Sequence, residues 1–97
     1  MNKQISILHQ DVPKGTRGYI ESRLDAMHLF GNRLDSLTAR LDCTHEEHEV
    51  ELIAGVGGAG TIVAKATTTT LMGALDEAID RMTCQLRKVH DKRTNRH

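Results

Sequence analysis

The fold is decided by residues 71–92, which read LMGALDEAIDRMTCQLRKVHDK. Apolar residues recur in this stretch at intervals of three or four, which is the spacing of one face of an α-helix. Thr70 comes directly before the first of them and is the predicted N-cap. The stretch therefore predicts one long helix with a single apolar stripe, made by Leu71, Leu75, Ile79, Met82, Leu86 and Val89.

Four segments that precede this helix predict β-strands. Residues 36–43, 49–54 and 61–67 alternate apolar and polar residues, as a strand with one buried face does. Short polar or glycine-rich segments join these three, which predicts an antiparallel meander. Residues 3–9 predict a further strand near the start of the chain.

A shorter helix is predicted from Pro13 to about Phe30. Asp11 is the candidate N-cap, and Gly31-Asn32 is the predicted stop signal. The apolar positions that recur at helical spacing are Ile20, Leu24 and Met27.

The resulting order is β-α-β-β-β-α, in a single domain that spans residues 1–97. The first helix is long enough to connect two parallel strands as a crossover. Two helices packed on one face of a four-stranded sheet would bury every apolar stripe and face. The sequence therefore predicts an α+β fold of this kind, similar to a double-stranded-RNA-binding domain.

Composition alone does not indicate a nucleic-acid-binding protein, because 13 basic and 13 acidic residues give a formal net charge of zero. The charges are unevenly distributed, however. Residues 42–51 contain five acids and no Lys or Arg, whereas residues 87–97 contain five Lys or Arg. Tyr19 and Phe30 are the only aromatic residues, so we expect no aromatic platform for stacking single-stranded RNA.

Residues 1–11 contain no apolar signal segment, and no apolar run approaches the length of a membrane span. Cys43 and Cys84 fit neither a zinc motif nor a disulfide framework. We expect a reduced, cytoplasmic protein. Cys43 is predicted to be a small core residue and Cys84 to be exposed.

Two motifs have a simple interpretation. Residues 55–60 (GVGGAG) match the glycine pattern of dinucleotide sites, but a predicted strand follows where such a site requires a helix. They predict a hairpin loop. Residues 45–48 (HEEH) lack the spacing of a helical zinc motif and predict a solvated acidic hairpin. No nucleophile is paired with a base, so we expect no enzyme activity, no metal and no cofactor.

The basic end of the long helix has two open interpretations. Arg81, Gln85, Lys88 and Lys92 follow one flank of the apolar stripe, and Arg87 falls on the other flank. Such a row of cations is suited to contact phosphates along an RNA backbone. The other interpretation is a solvated helix end with charges placed to complement the helix dipole. Local chemistry alone favours the solvated end.

A resemblance favours the RNA-binding interpretation. The chain resembles the short members of the ribosome hibernation-promoting factor family, also called the ribosome-associated inhibitor or sigma-54 modulation protein family, over nearly its whole length. The similarity is greatest, and without gaps, from residue 60 to residue 92. The matching residues are Gly60–Ala66 (GTIVAKA), Leu75-Asp76, Ile79-Asp80, Gln85-Leu86, Lys88 and Lys92, with Arg17, Tyr19 and Leu24 in the first helix.

The resemblance implies a stress-response protein that binds 16S rRNA in the decoding region of the small ribosomal subunit and silences translation. It implies no membrane, no small-molecule substrate and a monomer when off the ribosome. Basic residues of both helices would contact the rRNA. Those that fall at matching positions are Arg17, Arg23, Arg81, Lys88 and Lys92, and Arg87 is added for its local chemistry.

The sequence departs from the family pattern near the start and the end of the long helix. The family usually reads Asp-x-Tyr-x-Ala-Ile-Asp where this chain has residues 70–76, TLMGALD. Cys84 and His90 stand where the family usually has basic residues. The alternative to ribosome binding is therefore a protein-interaction or structured-RNA-binding module of the same fold whose target has diverged.

Overall fold

The computed structural model describes residues 2–94, with side chains for residues 2–92. The predicted element order is confirmed. The elements are β1 (Asn2–Leu8), α1 (Lys14–Asp25), β2 (Leu34–Thr44), β3 (Glu47–Val56), β4 (Gly60–Thr68) and α2 (Leu71–Thr94).

The four strands form one sheet in the order β1-β2-β3-β4. β1 and β2 are parallel, with α1 as the connection between them, and β2, β3 and β4 form the predicted antiparallel meander. The register aligns apolar residues across the sheet, so one face is apolar in every strand. One such row is Ile5, Ala39, Leu52 and Ala64.

Both helices bury their apolar stripes on that same face, as predicted. Ile20 and Leu24 of α1 and Leu75, Met82 and Leu86 of α2 are almost wholly buried, and they belong to one cluster with the apolar residues of all four strands. Burying a side chain of this size contributes about 1.5–3 kcal/mol. The aliphatic core therefore joins the two helices to the sheet.

The predicted start of α1 is right within one residue, but its predicted N-cap and its predicted end are wrong. Pro13 is the N-cap and no side chain caps the helix, so Asp11 lies outside it. The helix ends at Asp25, well before Phe30, and the loop that follows is bonded to α2 through Asn32. Gly31 does adopt a left-handed conformation (φ 76°), but it does so within this loop and not at the helix end.

The start of α2 is as predicted. The Thr70 hydroxyl oxygen accepts a hydrogen bond from the Gly73 backbone N–H at 3.0 Å. This satisfies one of the backbone donors that a helix leaves unpaired in its first turn. Thr70 therefore fixes where the longest element begins.

Both predicted hairpins are present. His45 and Glu46 form the turn between β2 and β3, and residues 57–59 form the turn between β3 and β4. Cys84 is exposed, as predicted, but Cys43 is only partly buried. The core prediction for Cys43 is wrong. Leu41 and Val50 are the last fully buried pair of β2 and β3, and Cys43 pairs with His48 two residues further along, near the end of the sheet. Within residues 2–94, neither helix is long and apolar enough to cross a membrane.

Candidate RNA-binding surface

The six basic residues expected to contact RNA lie in separate places on the molecule. Arg17 and Arg23 of α1 extend toward different neighbours. The Arg17 guanidinium donates to the backbone carbonyl of Ile5 in β1 at 3.4 Å. Arg23 extends toward α2, where it forms an ion pair with Asp76.

Arg23 connects the two helices. Its Nη1 donates to the Tyr19 hydroxyl at 3.3 Å and to the Asp76 carboxylate, and its side chain is 32% exposed. The hydrogen bonds with Tyr19 and Asp76 raise the pKa of the Arg23 guanidinium above its usual value. The bond from Arg23 to Asp76 therefore links α1 to α2, and the bond to Tyr19 lies within α1.

Arg81 and Gln85 cover the outer edge of the sheet. The Arg81 guanidinium donates to the Glu77 carboxylate at 2.6 Å and to the backbone carbonyl of Lys65. The Gln85 amide donates to the backbone carbonyl of Val63 at 2.8 Å. β4 is the last strand of the sheet, and carbonyl groups at such an edge otherwise have no partner in the sheet. Both side chains thus fasten α2 to β4.

Lys88 and Lys92 differ from the four residues above. Both are exposed, and neither makes a hydrogen bond or an ion pair with any described residue. They border an open groove of about 620 Å³ between α2 and the beginning of β4. The other residues that line the groove are Ile62, Gln85, Val89 and Asp91. Two ammonium groups beside one groove are therefore available to an external anion.

Arg87 lies on the opposite flank of α2, against the loop that connects α1 to β2. Its guanidinium carbon lies 4.8 Å from the centre of the Phe30 ring, within the range of a cation–π interaction. His28 contacts the edge of the same ring, with a centroid distance of 4.0 Å. Arg87 and His28 are exposed, so this cluster lies at the surface beside the last turns of α2.

Asn32 holds this loop in place, a role that the sequence prediction missed. Its side chain is 5% exposed, and its amide donates to the backbone carbonyls of Leu29 at 2.9 Å and Leu86 at 2.7 Å. In the sequence, the Asn that follows a glycine predicted only a helix end. It did not indicate the buried hydrogen bond to α2. The contact positions Phe30 under Arg87.

The sheet face opposite the helices is not a basic surface. Its cations lie beside acids: Arg40 is 3.5 Å from Glu51, and Lys65 is 3.6 Å from Glu49. Asp42 accepts hydrogen bonds from the His9 ring and from the Cys43 backbone N–H, and these lower the pKa of its carboxyl group. Within residues 2–94, no group of three or more potential metal ligands occurs, at the acidic hairpin or elsewhere.

Charge is therefore separated along the molecule, which measures 49 × 22 × 18 Å. The acidic turn of residues 45–47 adjoins the start of α2, because Glu47 and His48 pair with Thr44 and with Thr68. Lys88 and Lys92 lie beside Ile62, at the other end of the sheet. Lys88 and Lys92 are thus far from the acidic turn.

Two solved structures share the fold of this chain. A ribosomal subunit interface protein from Coxiella burnetii has a similar structure, with a TM-score of 0.83 and 18% identity over 92% of this chain and 97% of that one. The N-terminal domain of Thermus thermophilus Protein Y has a TM-score of 0.72 and 23% identity over 92% and 99% of the two chains. At these identities the likeness shows a shared fold.

A search of curated proteins found no match. The sequence model of one family, described as sigma 54 modulation protein / S30EA ribosomal protein, does match residues 4–94. That range contains both helices and nearly the whole sheet, including the groove between α2 and β4. The chain therefore belongs to the sigma 54 modulation protein / S30EA ribosomal protein family, a family of ribosome-associated proteins.

Proposed function

We propose that this protein binds the small ribosomal subunit in the cytoplasm and holds ribosomes inactive, as a hibernation factor. The description of its family includes a ribosomal protein, and one protein of the same fold is named for the ribosomal subunit interface. The resemblance of residues 60–92 to hibernation-promoting factors supports 16S rRNA in the decoding region as the target. The activity is binding and occlusion, with no chemical step.

The observation that supports this proposal most directly is a pair of lysines on α2 that make no hydrogen bond or ion pair with a described residue. Lys88 and Lys92 are four residues apart, so their side chains emerge on the same side of the helix about 6 Å apart along its axis. Neither cation is neutralised by a described residue. Cations of this kind release counterions when they meet phosphates, which is the main source of affinity for RNA.

The arginines contribute less in this proposal. Arg87 is exposed, and its guanidinium can reach a phosphate while it remains over Phe30. Arg17, Arg23 and Arg81 already donate to acceptors of the protein, and only their remaining N–H groups are available to RNA. We therefore assign the main contact to Lys88 and Lys92 and weaker contacts to the four arginines.

Co-sedimentation with purified ribosomal subunits tests the proposal. Wild-type protein should pellet with the small subunit and not with the large one, and Lys88→Glu/Lys92→Glu should remain in the supernatant. Lys14→Glu/Arg33→Glu is the matched control, because it makes the same change in net charge at two exposed cations that do not line the groove. If the two double variants bind equally well, the end of α2 is not the contact.

Two further measurements separate this function from its alternatives. Addition of the protein to a translation extract should lower protein synthesis in proportion to the occupancy of the small subunit. Plain duplex RNA should compete poorly, whereas a module that recognises duplex RNA by shape would be displaced from ribosomes by it. Binding to neither ribosomes nor duplex RNA would favour a protein target.

A further inference from the structure

We propose that the groove between α2 and β4 holds one unpaired RNA nucleotide, with its base against Ile62 and Val89 and its flanking phosphates at Lys88 and Lys92. This inference rests on the proposed function and names the form of RNA that the surface recognises. It predicts that the protein selects a bulged or looped nucleotide over a continuous duplex.

The floor of the groove is apolar. Ile62 is 9% exposed and belongs to the core, while Val89 is partly buried and packs against it. Both line the groove, whose volume of about 620 Å³ leaves room for a planar base and its ribose. A base that leaves a stack exposes two apolar faces to water, and contact with this floor would cover one of them.

Gln85 supplies a polar group at a fixed orientation in the wall of the groove. Its Nε2 donates to the backbone carbonyl of Val63 at 2.8 Å, so the amide cannot rotate freely. The Oε1 atom then remains as an acceptor and makes no hydrogen bond with a described residue. A base that carries an N–H donor on its edge would satisfy this oxygen, and a methylated edge would not.

The charges around the groove suit a nucleotide and not a neutral ligand. Lys88 and Lys92 line the groove, and neither ammonium group is paired with a described residue. Asp91 also lines the groove and makes an interaction within the protein, so the two lysines outnumber the one acid there. Because an apolar floor and two cations lie side by side, the site matches a molecule with an apolar ring and adjacent phosphates.

A duplex does not fit the same geometry. In a continuous A-form helix the bases are stacked and paired, so their faces cannot reach the groove floor. The lysines would still contact the backbone of a duplex, but Ile62, Val89 and Gln85 would contribute nothing. The difference in affinity between a bulged and a paired RNA therefore measures the contribution of the groove to binding separately from that of the lysines.

The test compares two RNA hairpins that differ only in whether a single 2-aminopurine is bulged or paired. Wild-type protein should bind the bulged hairpin about tenfold more tightly, which is the effect of burying a small apolar area. The fluorescence of the bulged 2-aminopurine should change on binding, because the base moves into a new environment. Equal affinity for the two hairpins, or failure to bind either, overturns the proposal.

Val89→Thr replaces one methyl group of the groove floor by a hydroxyl. The volume hardly changes, so the fold should persist. It should reduce the preference for the bulged hairpin at least threefold, while affinity for the paired hairpin stays the same. Val12→Thr is the matched control, because Val12 also packs against the core but lies outside the groove. A folded Val89→Thr protein that keeps the full preference contradicts the assignment of the floor.

Lys88→Glu/Lys92→Glu separates this inference from the proposed function. The double variant should weaken binding to both hairpins and to ribosomes by similar factors. If wild-type protein pellets with the small subunit but does not distinguish the hairpins, only the nucleotide groove is wrong. If the double variant still pellets with ribosomes, the ribosome contact lies elsewhere, and Lys88 and Lys92 no longer support the proposed function.

Discussion

At the scale of single residues, Asn32 shows how one buried amide can position a surface. Among the residues that the structure describes, it is the one polar side chain that is almost wholly buried. Its amide donates to Leu29 within the loop between α1 and β2, and it joins this loop to the carbonyl of Leu86, in the part of α2 that carries Lys88 and Lys92. A buried amide has to be paired in this way, because leaving it unpaired costs about 1–3 kcal/mol.

Asn32→Ala should therefore lower the free energy of unfolding by about 1–3 kcal/mol, measured by urea denaturation. Asn32→Asp should cost at least as much, since an ionised carboxylate cannot donate to the carbonyls of Leu29 and Leu86. Asn2→Ala provides a control at an exposed Asn. If Asn32→Ala is as stable as the wild type, the loop is not held by this amide.

At the scale of elements, periodicity predicted the helices and strands because it depends only on which residues can face a core. The stripe of α2 and its Thr70 N-cap are local properties, and both are present. The end of α1 was not predictable from its own residues. The loop that follows it is joined to α2 by the bond from Asn32 to Leu86, which lies 54 positions along the chain.

The same limit applies to the basic residues of the candidate site. A helical wheel places Arg81 and Lys88 on one flank of α2, and it treats them as equivalent. The structure distinguishes them because Arg81 donates to the carbonyl of Lys65 in β4, while Lys88 makes no hydrogen bond or ion pair with a described residue. Whether a cation is free depends on tertiary contacts that the spacing of residues does not contain.

Arg81→Ala should accordingly affect mainly stability, and Lys88→Ala should affect mainly RNA affinity. Loss of Arg81 should lower the free energy of unfolding by up to about 1 kcal/mol, since its bonds are about half exposed. It should change affinity for the small subunit less than threefold. Loss of Lys88 should leave stability unchanged and reduce affinity several-fold. Denaturation and co-sedimentation of the same two preparations provide the comparison, and a larger loss of binding in Arg81→Ala would contradict the assignment.

At the scale of the whole molecule, zero net charge conceals a strong separation of charge. Composition alone therefore did not indicate an RNA-binding protein, although the fold places the acidic turn and the lysines of α2 at opposite ends of the sheet. From His48 to Ala54, which pairs with Ile62, β3 rises by roughly 20 Å. This exceeds the Debye length of about 8 Å at physiological salt, so the acidic turn is screened from RNA bound at Lys88 and Lys92.

Glu46→Gln/Glu47→Gln makes the protein more basic, while Lys88→Gln/Lys92→Gln makes it more acidic by the same amount. If overall charge governed binding, the first change would strengthen affinity for the small subunit about as much as the second weakened it. Local contact predicts an asymmetric result instead. Neutralising the acidic turn should alter affinity less than twofold at physiological salt, whereas neutralising the lysines should remove about two phosphate contacts and flatten the dependence of affinity on salt. Titration of both variants against small subunits at several salt concentrations distinguishes the two cases, and a symmetric response would show that the α2 surface acts only through the total charge of the molecule.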